Sequence, residues 1–455
     1  MLRSGYVGAR LTRGARRDQM DLPQEFARMT QDPAEAAILA AVDRNFDAQI
    51  AFTQELVRRP SLRGAEAPVQ DFVHDAYRAR GLAVDRWRVR EADIAAHPGF
   101  SPVAVSYENA WNVVGTWRPE VERGRSLILN AHVDVVPTGP EDMWTDPPFE
   151  PVIRDGWLYG RGSADMKAGH AANLFAFDAI RAAGFAPAGR VHLQSVVEEE
   201  STGNGTLSTH LRGYAADAAL IPEPEDEMLV RANAGVVWFA VEVRGRPAHT
   251  RVMGEGVNAI DLAYRLISAL RGLEARRNAE RVAHPHFAAL EHPLNLNIGR
   301  IEGGDWASMA PAWCRFEARF ALYPGERAAD TRAMVEACVA EAAAADPALA
   351  NRPPTVTWHG FMAEGYVLEP GGDAEAALAG AHADVFAAPL RSFTSPAYLD
   401  SRVHALYDRI PALCYGPNCR DIHGVDEAVE IESVRRVTRT IALFIARWCG
   451  LTPAR

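Results

Sequence analysis

SLILNAHVDVVP, residues 126–137, decides the architecture. Its apolar run is too continuous for a strand with one wet face, so it reads as a strand buried on both sides. It ends by delivering His132 and Asp134, two residues apart and therefore on one face. WNVVGTW (111–117), RVHLQSVV (190–197) and AALIP (218–222) have the same buried-strand character. Helical patterns separate them: Pro33 to Arg59, Ala67 to Arg80 before Gly81, and Asp165 to Ala183 before Gly184. Alternation of this kind predicts an α/β domain, a mixed central sheet with helices on both faces.

Acids and imidazoles recur where the runs end. LYGRGSADMKAG (158–169) carries Asp165 after a glycine-rich turn, and LQSVVEEESTGNG (193–205) carries Glu198, Glu199 and Glu200. IPEP holds Glu223 between two prolines, and CYGPNCRDIHGVDE (414–427) supplies His423. Each has a plainer reading alone: His132 as a core histidine beside an acid, Asp165 as a helix N-terminal acid, the glutamates as a solvated loop. Three consecutive carboxylates after a buried strand nevertheless repel one another unless cations are present. Adjacent residues in extended chain face opposite ways, so one glutamate can bind metal while its neighbour addresses a bound water. Asp134 is placed to accept the second ring proton of His132 and fix its tautomer. Asp165, Glu200 and Glu223 bring three negative charges. One divalent ion leaves a net anion, and two leave about one positive charge. Oxygen and nitrogen donors without thiolate suit Zn²⁺ first, with Co²⁺ or Mn²⁺ as substitutes.

Near Ala234 the character changes. VVWFAVEVRG alternates, a helix follows with Leu262, Leu266, Leu270 and Leu273 on one face, and then come LNLNIGRIEGG, WCRFEARFALYPG and an alanine-rich helix. This β-α-β-β-α-β order predicts a two-layer α+β, ferredoxin-like lid over 234–357. It is inserted into a catalytic domain formed by 31–233 and 358–455. Residues 1–30 read as an extension of arginine-rich start, or as an early start codon ahead of Met20.

The chain has 455 residues, 48% hydrophobic and 24% charged, as expected of a globular protein of two domains. No apolar run approaches the roughly 20 residues of a membrane span. A formal charge of −11 argues against nucleic acid or an anionic membrane as partner. Five scattered cysteines without a CxxC fit a reducing, cytoplasmic setting.

As an ordered set the motifs resemble the dinuclear zinc metallopeptidases and amidohydrolases that include carboxypeptidase G, succinyl-diaminopimelate desuccinylase, acetylornithine deacetylase and aminoacylases. The resemblance runs from about residue 45 to the C-terminus. It implies two metal ions: His132 and Glu223 on one, Glu200 and His423 on the other, and Asp165 between them. It makes Glu199 the general base, Asp134 the acid supporting His132, and the Asp165–Met166 peptide cis. GRPAHT places His249 where relatives carry an oxyanion-stabilising histidine, often lent to a partner subunit, and GEGVNAI brings in Asn258. Ser308-Met309-Ala310-Pro311 departs from a family motif whose asparagine contacts the substrate carboxylate in some members. In AYLDSR, Arg402 remains as a carboxylate-binding candidate, while Tyr398 and Leu399 suggest a bulkier pocket. The expectation is hydrolysis of an N-acyl amino acid-like amide by a homodimer joined through the lid helix of Leu262, Leu266 and Leu270. The alternatives are a dipeptidase or carboxypeptidase and, from another class, a binding homologue without catalysis. The leucine face has a second reading, packing on the lid's own sheet.

Overall fold

The computed structural model describes residues 32–454, and the expected extension over residues 1–30 lies outside them. The central sheet has six strands in the order Ala83–Arg88, Trp111–Trp117, Val191–Val196, Leu127–His132, Ala219–Ile221 and Ala412–Cys414. The first two pairings are antiparallel and the other three parallel, so the sheet is mixed. Every residue of Leu127–His132 is buried. Leu129, Leu193 and Leu220 pack with the helices Pro33–Val57, Ala168–Ala182 and Ile431–Cys449 in one core. Each such leucine removed from water contributes about 1.5–3 kcal/mol. The last helix buries Val434, Val437, Ile441, Phe444, Ile445 and Trp448, a stripe at three- and four-residue spacing. On the opposite face, Asn130 donates to the Thr206 hydroxyl at 3.1 Å, tying the sheet to the short helix Asn204–Leu211.

Four strands, three of them adjacent and parallel to Leu127–His132 or its neighbour, end at the same edge. His132 stands at the end of one, Glu198 to Glu200 follow Val196, Glu223 follows Ile221, and His423 lies beyond Cys414. The carboxyl edge of parallel strands is where an open α/β sheet collects ligand-binding side chains.

Gly235–Arg244, Leu296–Gly303, Trp313–Leu322 and Thr355–Ala363 form a second, wholly antiparallel sheet. The helices Ala259–Ala279 and Ala328–Ala345 cover one face of it, around Val237, Phe239, Phe316 and Phe320. Leu262, Leu266, Leu270 and Leu273 belong to this core, each at most 4% exposed. The leucine row therefore packs on its own sheet and offers no face to a second chain, which corrects the dimer surface expected from it. The strand Thr355–Ala363 pairs along Gly235–Arg244, so the expected boundary at 357/358 falls inside a strand. The pairing that continues the sheet past this boundary is made with a strand more than a hundred residues upstream.

Candidate metal centre

The structure brings His132, Asp165, Glu200, Glu223 and His423 together. His132 ends its strand 1% exposed, with Nε2 3.0 Å from Asp165 Oδ1 and 3.7 Å from Glu223 Oε1. His423 Nε2 lies 3.2 Å from Asp165 Oδ2 and 3.2 Å from Glu200 Oε1. The two oxygens of Asp165 thus face two different imidazoles, and each imidazole has its own glutamate. Donor atoms of His132, Asp165 and Glu200 all lie within 4.8 Å of one another.

Asp165 sits in an irregular turn, Ser163–Lys167, and the helix starts at Ala168 rather than at Asp165 as the sequence suggested. Gly162, at φ 78°, opens the turn in the left-handed region, and the Asp165–Met166 peptide is cis. His423, at φ 62°, lies in a hairpin closed by pairing of Cys419–Arg420 with Ala428–Glu430.

Asp134 acts differently from expectation. The nearest acceptor to His132 Nδ1 is the Asp134 backbone carbonyl, at 2.9 Å, with the carboxylate 3.6 Å away. That carboxylate instead accepts from the amides of Glu199, at 3.2 Å, and Glu200, at 3.0 Å. It therefore holds the turn that presents both glutamates. Glu198, at φ 69°, accepts from Arg63, Tyr107 and Thr202, so its charge is consumed within the protein.

The electrostatics are those of a site short of positive charge. Burial opposes the His132 cation, yet Glu223, Asp134 and Asp165 outweigh it and raise its pKa well above the imidazole range. Glu200 pushes His423 up to about 11 against burial, with Asp165 adding to the shift. Burial lifts Glu223 well above the carboxylate range, against His132 and with Asp165 and Glu200. Burial also lifts Glu199, against His132 and with Glu223, Asp400 and Glu200. Glu223 Oε1 is buried without a hydrogen-bond partner. Crowded dry carboxylates and protonated imidazoles are neutralised more completely by divalent cations, which take the same histidines as neutral ligands. The N/O donor set and the orphaned carboxylate oxygen both fit such ions.

The other expected site residues stand apart. His249 is exposed and accepts at Nδ1 from the Arg251 amide at 3.0 Å; among the described residues no contact joins it to the five. Asn258 caps the helix Ala259–Ala279, accepting from Ile260 at 2.9 Å, and Ser308 is exposed. Arg402 is 1% exposed, donates to Gly99 O and Tyr407 Oη at 3.1 Å, and keeps Nε and Nη1 unpartnered. Sequence reading missed Arg63 and Tyr107, whose partner is more than ninety residues away, and Glu427, though HGVDE put an acid four residues beyond His423.

Residues 128–447 match Peptidase family M20/M25/M40, well over half of the chain. The chain belongs to this family. N-formyl-4-amino-5-aminomethyl-2-methylpyrimidine deformylase of Halalkalibacterium halodurans is 30% identical over 440 residues, covering 92% of this chain and 98% of the relative. Succinyl-diaminopimelate desuccinylase of Caulobacter vibrioides is 26% identical over 409 residues, 88% of this chain and 95% of the relative. In fold, human carnosine dipeptidase 1 matches with a TM-score of 0.71 at 14% identity, over 92% of this chain and 99% of that one. This M20 chain is a metal-dependent hydrolase of amide bonds.

Proposed function

We propose that this M20 enzyme removes a small acyl group from the nitrogen of a small amine or amino acid at a dinuclear centre. The observation that carries the reading is the Asp165 carboxylate, one oxygen turned to His132 and the other to His423. His132 and Glu223 would hold one ion, Glu200 and His423 the other, and Asp165 would serve both. Zn²⁺ is the first choice for this donor set, and Co²⁺ or Mn²⁺ substitute. Bound there, two divalent ions supply Lewis acidity and a water of lowered pKa. Glu199 takes the proton of the attacking water and returns it to the departing amine. Burial raises its pKa, against the His132 charge and with Glu223, Asp400 and Glu200.

Relatives named for removal of formyl and succinyl groups favour acyl transfer to water over dipeptide cleavage. The dipeptidase reading stays as the alternative because the fold is shared with carnosine dipeptidase 1. A screen of N-formyl, N-acetyl and N-succinyl amines and amino acids against dipeptides, with Zn²⁺, Co²⁺ or Mn²⁺, tests this. Release of formate, acetate or succinate is expected, and cleavage of dipeptides alone would move the assignment to an exopeptidase.

The Gly235–Ala363 unit serves as a lid that closes over the centre, and the enzyme works as a homodimer. His249, exposed and without contact to the five ligands of its own chain, is the oxyanion donor to the partner's site. Full activity in a species that light scattering shows to be monomeric refutes this. Arg402 binds a substrate acid group, and Asn258 and Ser308 line the lid's share of the pocket. All five cysteines are free, which supports the cytoplasm as its location. Among the described residues no helix is long and apolar enough to cross a membrane.

A further inference from the structure

Beneath the five ligands lies a buried ion pair that none of the chemistry above uses. Glu427 and Arg161 are each 1% exposed, and Arg161 Nη1 donates to Glu427 Oε2 at 2.6 Å. The same oxygen accepts from the Gly162 amide at 3.0 Å, while Oε1 accepts from the amides of Ala164 and Asp165, both at 3.0 Å. The carboxylate is therefore wrapped by the turn that carries Asp165. Backbone contacts extend the junction: Gly160 donates to the Glu427 carbonyl at 2.9 Å, and Arg161 Nη2 donates to Gly424 O at 2.8 Å and Pro137 O at 3.3 Å. Gly424 follows His423, and Pro137 closes the stretch that carries His132. One pair thus joins the exit of the His132 strand, the Asp165 turn and the His423 hairpin.

A buried turn whose Gly162, Ala164 and Asp165 amides lie outside any ladder needs acceptors to hold its shape. A carboxylate has lone pairs for all four donors, and charge-assisted bonds of this kind are about twice as strong as neutral ones. From this geometry we propose that Glu427 is a positioning residue for the metal centre. It fixes the Asp165 carboxylate between the two halves of the site and, through Arg161, locks the His423 hairpin to it. The inference rests on reading the centre as a binder of divalent cations.

Glu427→Gln is isosteric but cannot serve this role. In either orientation its NH₂ group faces donors, either Ala164 and Asp165 amides or the Gly162 amide and Arg161. The test measures Co²⁺ binding to metal-stripped protein by competition with a chromophoric chelator, together with the visible Co²⁺ spectrum. Loss of an outer partner of a ligand typically weakens metal binding about 10–100-fold, which is the rise in dissociation constant expected for Glu427→Gln, with an altered spectrum. Arg161→Met leaves the carboxylate on three amides and is expected to cost less than the glutamine variant. In metal-free wild type, the Gly162, Ala164 and Asp165 amides should exchange hydrogen far more slowly than an unprotected loop, a measurement that needs no variant to fold. Glu427→Gln binding within twofold of wild type, or free-loop exchange at these amides, overturns the role of Glu427 and leaves the metal reading intact. Wild type that takes up no Co²⁺ overturns both.

Discussion

Replacing Glu199 by glutamine isolates the proton transfer from everything else in the site. The side chain is 6% exposed, and its backbone is set independently by the bond from its amide to Asp134 Oδ1 at 3.2 Å. Glutamine has the same shape, so Glu200 beside it and the Asp134 bond stay in place. What disappears is the ability to take a proton from water and hand it to the amine. Positioned general bases contribute about 10²–10⁴-fold, corresponding to about 2.7–5.5 kcal/mol of barrier. A fall in kcat of that size is expected, with KM changed by less than about threefold because no binding contact is lost. The assay is release of the acyl acid at saturating substrate, with metal content measured by elemental analysis on the same preparations. Glu199→Gln retaining kcat within tenfold of wild type, at equal metal content, refutes the role of this carboxylate.

Stripping the enzyme with a chelator should lower its Tm, and excess Zn²⁺ should restore it. At 100-fold excess over Kd the stabilisation is about 2.7 kcal/mol, and a melting curve indifferent to chelation would contradict a centre built into the folded state. His423→Ala should reduce bound metal below the wild-type count while Glu223 and His132 remain, and an unchanged stoichiometry by elemental analysis contradicts the assigned halves. In Gly416→Ala the new Cβ would stand 2.0 Å from the Glu223 carbonyl oxygen, forcing the backbone that carries Glu223 aside. A displacement on the order of 1 Å can cost about 100-fold, so kcat/KM should fall by that factor, and wild-type kinetics would show that the loop yields elsewhere. Glu66 is 1% exposed, and burial, reinforced by the Asp134 charge, pushes its pKa up to about 8 from 4.5. A raised folded-state pKa means stability present below pH 4.5 and lost as pH rises through about 8. Glu66→Gln should therefore gain up to a few kcal/mol over wild type in urea melts of the metal-free protein at pH 9, with a much smaller gain at pH 5.5; a pH-independent difference refutes the assignment.

The legible part of this protein was local. Leu127–His132 belongs to a nearly continuous apolar run, so its burial and its place inside a sheet could be read directly, as could the carboxyl-end placement of Glu200 and Glu223. The β-α-β-β-α-β order of Gly235–Ala363 was readable because each element carries its own periodicity. The start of the helix after Asp165 was not, since its first turn is reshaped by Glu427, 262 residues further along the chain. The same holds for Asp134: spacing put it on the face of His132, but the Glu199 and Glu200 amides it accepts from come from another strand's exit.

By itself, the amino-acid sequence determined which strands are buried and which chemical groups stand at their ends, because alternation, glycine turns and apolar runs act over a few residues. Tertiary structure alone decided which of those groups meet. It set Asp165 between His132 and His423, gave the Leu262 row to its own sheet, and left His249 at the surface. The reason is physical: hydrogen bonds and ion pairs between residues hundreds of positions apart depend on sheet order and chain crossing, which no local pattern encodes.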